Sequence, residues 1–220
     1  MSTLEVGLVQ IAGVIDVAEA EMLQQCGVRY LGFALRLAVH QPDLTESQAA
    51  KIIKGLAFQV RGVLITYLDQ AHEIALFSQA LSARIVQLHG AIHPDELKRL
   101  KTLDPDLTVI KSLVVGMCDD SVLESMVRDL SPFVDAFITD TFDPKTGASG
   151  ATGKTHDWRV SRRLVEVSDR PVILAGGLTP ENVKRAILEV RPAGVDSHTG
   201  VEAPTGRKRP EKVERFLSRA

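Results

Sequence analysis

The sequence predicts an α/β fold, a (β/α)8 TIM barrel built as a single domain over residues 1–220. Three observations lead there. Short β-rich apolar runs alternate with longer stretches of helical period, and eight rounds of this alternation can be counted. Most of the runs are apolar throughout, the pattern of parallel strands covered on both faces, and the helical stretches supply the crossovers that parallel strands need. Glycine-rich turns fall after the last two runs, where such a barrel carries phosphate-binding loops. The same units could form a doubly wound open sheet; the count of eight and the late turns favour closure.

Residues 6–12 form the first run, followed by an amphipathic stretch from Val17. Residues 30–35 lead to a helix from Glu46, and residues 62–67, with Val-Leu-Ile-Thr-Tyr unbroken at 63–67, lead to one from Ala71. Residues 85–88 precede His93-Pro94-Asp95-Glu96, which reads as the start of the fourth helix. Residues 108–113 are followed by helical periodicity from Ser121, and residues 136–140 by a longer connection that reaches its helix at Trp158. The last two strands are expected at 172–175 and 194–196. In the helix expected from Glu181, Val183, Ala186, Ile187 and Val190 share one face while Glu181, Lys184, Arg185 and Glu189 fall elsewhere. A final helix begins near Pro210.

The composition, 45% hydrophobic and 25% charged with 26 basic against 28 acidic side chains, excludes a disordered, collagen-like or strongly basic nucleic-acid-binding chain. Aromatics at 5% argue against a base-stacking platform. Two cysteines, Cys26 and Cys118, make no disulfide framework, and the N-terminus lacks the features of a signal peptide. The longest apolar stretches, such as 109–115, are broken well short of the roughly 18 residues a bilayer span needs. A cytoplasmic protein that acts on a small molecule, without nucleic acid or membrane as partner, is expected, as a monomer or homodimer.

The stretches that carry chemistry lie after the last two strands. Leu174-Ala175-Gly176-Gly177-Leu178-Thr179-Pro180-Glu181-Asn182 reads as strand, glycine turn and helix start, with Thr179 at the N-cap and Pro180 in the first helical position. Two glycines let a backbone approach a ligand closely, and the free N–H groups of a helix start favour an anion. Gly194-Val195-Asp196-Ser197-His198-Thr199-Gly200 repeats the arrangement. Gly176, Gly177, Thr199 and Gly200 are the expected phosphate-binding residues. A tight βα turn with no ligand is the plain alternative for either loop taken alone.

These residues also carry a resemblance. The Leu-Ala-Gly-Gly-Leu-Thr-Pro-Glu-Asn-Val stretch, Val86-Gln87-Leu88-His89-Gly90, Val109-Ile110-Lys111, the run from Gly150 through Trp158, and Gly194-Val195-Asp196 through Gly200-Val201-Glu202 resemble, in order, the signatures of the phosphoribosylanthranilate isomerase family. The resemblance implies the barrel fold and a place in tryptophan biosynthesis; no cofactor is expected, and no local ligand spacing supports a metal. It also implies an Amadori rearrangement in which an acid opens a furanose ring to a Schiff base and a base removes the C2 proton. The acid at the end of the sixth strand falls on Asp140.

Two departures from the pattern point to an isomerase of a phosphorylated sugar derivative with a changed substrate end, phosphoribosylanthranilate itself staying open as the substrate. The base is a Cys in a Lys-Ile-Cys-Gly stretch, and here the run is Gln10-Ile11-Ala12-Gly13. A Ser-Pro-Arg stretch that anchors the anthranilate carboxylate is replaced by His40-Gln41-Pro42, with Arg36 a few residues earlier. Histidines stand where the pattern has other residues, at His40, His156 and His198, and His89 joins them at the same rim. His198 and His40 are the candidate replacement bases; Gln10, Arg36, His89 and Gly153 are the candidate substrate contacts.

Rival readings are a lyase or aldolase using Lys111 as a Schiff-base amine, a metal held by His40, His89, His198 and Asp140, and a sugar-phosphate-binding protein without activity. Cys118 falls on the catalytic side of a barrel, and the basic stretch 207–209 reads as a solvated approach to the last helix.

Overall fold

A computed structural model describes residues 4–37, 42–145, 147–150 and 152–220. In chain order the strands are β1 (Leu8–Ile11), β2 (Tyr30–Ala34), β3 (Arg61–Thr66), β4 (Ile85–Leu88), β5 (Thr108–Val115), β6 (Ala136–Asp143), the short β7 (Ala148–Ser149), β8 (Val172–Leu174) and β9 (Gly194–Ser197). The helices are α1 (Val17–Gln25), α2 (Glu46–Gly55), α3 (Ala71–Leu81), α4 (Pro94–Leu103), α5 (Asp120–Leu130), α6 (Trp158–Val167), α7 (Val183–Val190) and α8 (Pro210–Leu217). β1 pairs with β2 on one side and β9 on the other, while β6 pairs with both β5 and β8, so eight parallel strands close on themselves. β7 lies outside this ring, antiparallel to β6. None of the helices among the described residues is long and apolar enough to cross a membrane.

Side chains that alternate along each strand divide the interior into two cores. Leu8, Val63, Ile85, Ile110, Ile138 and Ile173 point into the barrel, whereas Ile11, Leu31, Leu64, Val109, Leu113 and Phe137 pack under the helices. Two residues beyond the inward apolar positions Leu8, Ile85, Ile110 and Ile138 come Gln10, Gln87, Ser112 and Asp140. A period of two therefore stacks a polar layer on an apolar floor. The same alternation turns Lys111 toward the helix side with Val109 and Leu113.

Helix starts follow local chemistry. Asp16 accepts from the Glu19 N–H, Asp157 from the Arg159 N–H, and Thr45 forms a reciprocal capping box with Gln48; caps of this kind contribute about 1 kcal/mol each. Several boundaries shift by a residue or two from the sequence expectation, and two differences bear on the site. β6 runs on to Asp143 and turns back through β7, because the polar Thr139-Asp140-Thr141 stretch stays extended when β5 pairs with it. Regular helix α7 starts at Val183, with Asn182 as its N-cap; Thr179 instead caps the preceding turn, its Oγ1 accepting from the Glu181 N–H at 3.2 Å.

Candidate active site

The C-terminal ends of the strands enclose a cavity of about 390 Å³, within the range of small-molecule sites. Ala12 and Gly13 follow β1, Ala34 ends β2, Ile65 and Tyr67 come from β3 and its end, and Gln87 and His89 from β4 and its end. β6 contributes Asp140, and the last three loops contribute Gly150, Thr152, Gly153, Gly176, Gly177, Leu178 and residues 196–200. No Lys or Arg lines the cavity among the described residues. A bound anion would therefore meet backbone N–H groups and hydroxyls.

Asp140 accepts the Thr141 N–H on Oδ1 at 2.7 Å. Gly150 lies directly above it, with a left-handed φ of +84°. Burial pushes the Asp140 carboxyl up to about 7, against the pull of the Thr141 N–H. Asp196 is 8% exposed, and its Oδ1 is buried without a hydrogen-bond partner among the described residues. Burial first and the charge of Asp140 second push it up to about 7 as well, while Gln10 and Lys208 act in the opposite sense. The cavity thus holds two carboxyls displaced toward neutral pH.

Beneath the cavity a chain of side chains crosses the barrel. Gln10 Nε2 donates to Gln87 Oε1 at 3.0 Å, Gln87 Nε2 to Ser112 Oγ at 3.4 Å, and Ser112 Oγ lies 3.1 Å from His89 Nδ1. The His89 ring also packs on Tyr67, with centroids 5.0 Å apart. Gln10 is wholly buried in this layer and is not part of the cavity wall, whereas His89 is.

The residues expected to bind phosphate, Gly176, Gly177, Thr199 and Gly200, all line the cavity, with Gly153. The structure gives the glycines a second reason to be there. A β-carbon on Gly177 would strike the Lys154 carbonyl, and one on Gly200 the Leu178 carbonyl, so these positions let the last three βα loops touch. Asn182 Nδ2 donates to the Gly177 carbonyl at 3.0 Å and Ser197 Oγ to the Leu178 carbonyl at 2.8 Å, locking that contact.

The histidines separate. His198 lines the cavity, packed so tightly on Gly13 that a β-carbon there would collide with its ring. Burial, then the charge of Lys208, holds its imidazole down to about 3, so the 3.3 Å approach of Nε2 to Glu202 Oε1 is a polar contact of a neutral ring at pH 7. His156 is outside the wall: it bridges Thr141 Oγ1 at 2.9 Å and Ser161 Oγ at 2.5 Å, and burial lowers it to about 4. His40, the other candidate base, lies outside the described residues.

Arg36 is not in the wall. Its guanidinium pairs with Glu46 at 2.8 Å and covers the Phe77 ring at 3.8 Å. Lys111 donates to the Leu88 and Ser112 carbonyls at 3.2 and 2.7 Å and does not reach the cavity, although burial lowers its amine to about 8. Cys118 is exposed and outside the wall. No cluster of three or more metal-ligating side chains occurs among the described residues. The basic stretch needs correction: Lys208 is 2% exposed, its Nζ donating to the Gly13 carbonyl at 2.7 Å and to Glu202 at 2.9 Å.

Sequence reasoning passed over Asp196, Gly150 and Lys208 as site residues. For Asp196 the sequence offered only a local signal, an acid that follows apolar Gly194-Val195 in an expected strand.

The sequence model of the family described as N-(5'-phosphoribosyl)anthranilate (PRA) isomerase matches residues 9–219. The chain is 36% identical over 217 residues to N-(5'-phosphoribosyl)anthranilate isomerase 2 of Methanosarcina mazei, covering 96% of this chain and 93% of that protein. Among solved structures, phosphoribosyl anthranilate isomerase from Thermotoga maritima superposes with a TM-score of 0.82 at 27% identity, covering 97% of this chain and 98% of the other. Another isomerase structure, in complex with reduced 1-(o-carboxyphenylamino)-1-deoxyribulose 5-phosphate, gives 0.79 at 25% identity with the same coverage. With its barrel, its paired loops and this match over nearly its whole length, the chain belongs to the N-(5'-phosphoribosyl)anthranilate isomerase family.

Proposed function

We propose that the protein isomerises N-(5'-phosphoribosyl)anthranilate to 1-(o-carboxyphenylamino)-1-deoxyribulose 5-phosphate, as a step in tryptophan biosynthesis. The observation that carries this reading is Asp140, a carboxyl raised to about 7 in the same cavity as the loops at Gly176-Gly177 and Thr199-Gly200. An ordinary aspartic acid, with a pKa near 3.9, is protonated in only about one molecule in a thousand at pH 7. Asp140 is protonated in a large fraction of molecules, so it can hand a proton to the furanose ring oxygen as the C1–O bond breaks. The nitrogen lone pair completes the Schiff base. Removal of the C2 proton then gives an enolamine, which becomes the ketone.

The phosphate would sit against the last two βα loops, held by backbone N–H groups and the Thr199 hydroxyl, with Gly153 beside it. His89 would take a substrate hydroxyl from the wall, oriented by Ser112. The buried Gln10 would support this layer from below. Growth of a strain lacking its own isomerase tests the reading. The wild-type gene is expected to restore growth without tryptophan and Asp140→Asn to fail; a wild-type gene that is expressed and gives no growth contradicts it.

A further inference from the structure

The methyl group of Ala12 cannot accept a proton, yet the proposed reaction needs a base as well as an acid. Asp196 stands next to that vacant position. It is on β9, which is in register with β1 from Leu8↔Gly194 to Ile11↔Ser197, and the Ala12 N–H donates to the Ser197 carbonyl at 3.0 Å. It lines the cavity that also holds Asp140, two strands away through β8. We propose that Asp196 is the base of this enzyme, its carboxylate taking the C2 proton while Asp140 serves as the acid.

The surroundings of Asp196 leave one of its oxygens unengaged. Its buried Oδ1 has no partner among the described residues, and the hydrogen bond its carboxyl takes comes from its register partner Gln10, which carries no charge. The cation that acts on it, Lys208, has its ammonium committed to the Gly13 carbonyl and Glu202. A carboxyl sealed in a cation-poor wall is held against its desolvation cost, the usual mark of a working group.

Among the described residues, the competing bases are weaker. His198, held down to about 3, is a poor proton acceptor at neutral pH, whereas Asp196 near 7 is matched to it. His89 Nδ1 is engaged with Ser112 Oγ. Asp43 is exposed at the wall.

The proton account closes. Asp140 gives its proton to the ring oxygen as the C1–O bond breaks and the C=N bond forms. Asp196 takes the C2 proton, and the C–H electron pair forms the C1=C2 bond as the C=N π pair returns to nitrogen. The enolamine loses its hydroxyl proton and gains one at C1. Asp196 is then protonated and Asp140 ionised, and exchange of one proton through water restores the pair.

The inference rests on the isomerase reading, and one set of measurements separates the two. Conversion of N-(5'-phosphoribosyl)anthranilate, protiated or deuterated at C2, is followed with the wild type, Asp196→Asn and Asp196→Asn with Ala12→Cys. The expected result is a loss of kcat by about 10²- to 10⁴-fold in Asp196→Asn with KM little changed. A C2 isotope effect larger than the wild type's should appear, and the cysteine at position 12 should restore part of the rate. If Asp196→Asn fails to fold by circular dichroism, Asp196→Ser is measured in its place. An active wild type with an equally active position-196 variant overturns the assignment of Asp196 alone. A wild type inert toward this substrate overturns the isomerase reading and the assignment together.

Discussion

Gly150 sits so close above Asp140 that a β-carbon at position 150 would lie 2.5 Å from the carboxylate Oδ2 and 3.0 Å from His89 Cε1. The Gly150 N–H donates to the Thr141 carbonyl at 3.0 Å, which fixes this lid to the end of β6. Gly150→Ala therefore faces both a left-handed φ and a collision with the proposed acid. Displacements near 1 Å at a reacting group cost on the order of 10²-fold. We expect kcat/KM to fall by about that factor, with the melting temperature lowered by a few degrees. Steady-state kinetics and thermal unfolding check both.

The two raised carboxyls make stability depend on pH in a defined direction. Asp140 and Asp196 both have native values near 7 against about 3.9 unfolded, so between those values the native state binds more protons and stability falls as pH rises. Their contribution is fully present below about pH 4 and lost above about pH 7. Asparagine at either position removes the charge that must be buried. Each variant should be more stable than the wild type at pH 8, by on the order of 1–4 kcal/mol, with a higher melting temperature, and the difference should shrink toward pH 4. A melting difference that does not change with pH contradicts this.

Gly200→Ala tests the contact between the last two loops. Its β-carbon would collide with the Leu178 carbonyl, whose oxygen also accepts from Ser197 Oγ. The loops must separate to make room. We expect inhibition by inorganic phosphate to weaken by roughly 10-fold, with substrate KM rising in parallel, because the proposed anion site is made of backbone at this junction.

Arg36→Ala should be mild. The side chain is about two-fifths exposed, its guanidinium paired with an exposed Glu46 and stacked on Phe77 outside the cavity wall. Such pairs and cation–π contacts contribute about 0.5–1 kcal/mol each. A small drop in melting temperature and a KM changed by less than about threefold are expected; a KM raised by an order of magnitude would place Arg36 at the substrate after all.

These variants also mark how far the sequence could be read. Continuous apolar runs such as Val-Leu-Ile-Thr-Tyr located the strands, and the glycine pairs located the loops, because both are local signals. Asp140 was legible by resemblance. The direction of Lys111 was not, since it depends on which alternate of β5 faces the barrel. Lys208 looked solvated because its partners, Gly13 and Glu19, are nearly 200 positions away: Lys208 Nζ meets the Gly13 carbonyl and its N–H meets Glu19 Oε1 at 2.7 Å. Asp196 escaped notice for a similar reason. The burial that raises it and the bare oxygen that marks it exist only once β1 and β9 close the barrel.

The most direct test of the account is the rate at which the purified protein converts N-(5'-phosphoribosyl)anthranilate, followed as the substrate disappears at pH 7, beside Asp140→Asn. The account predicts turnover in the ordinary enzymatic range, about 1–10³ per second, and a loss of about 10²- to 10⁴-fold on removing the Asp140 proton. A wild-type rate no greater than the uncatalysed one, or an Asp140→Asn rate equal to the wild type's, would contradict it.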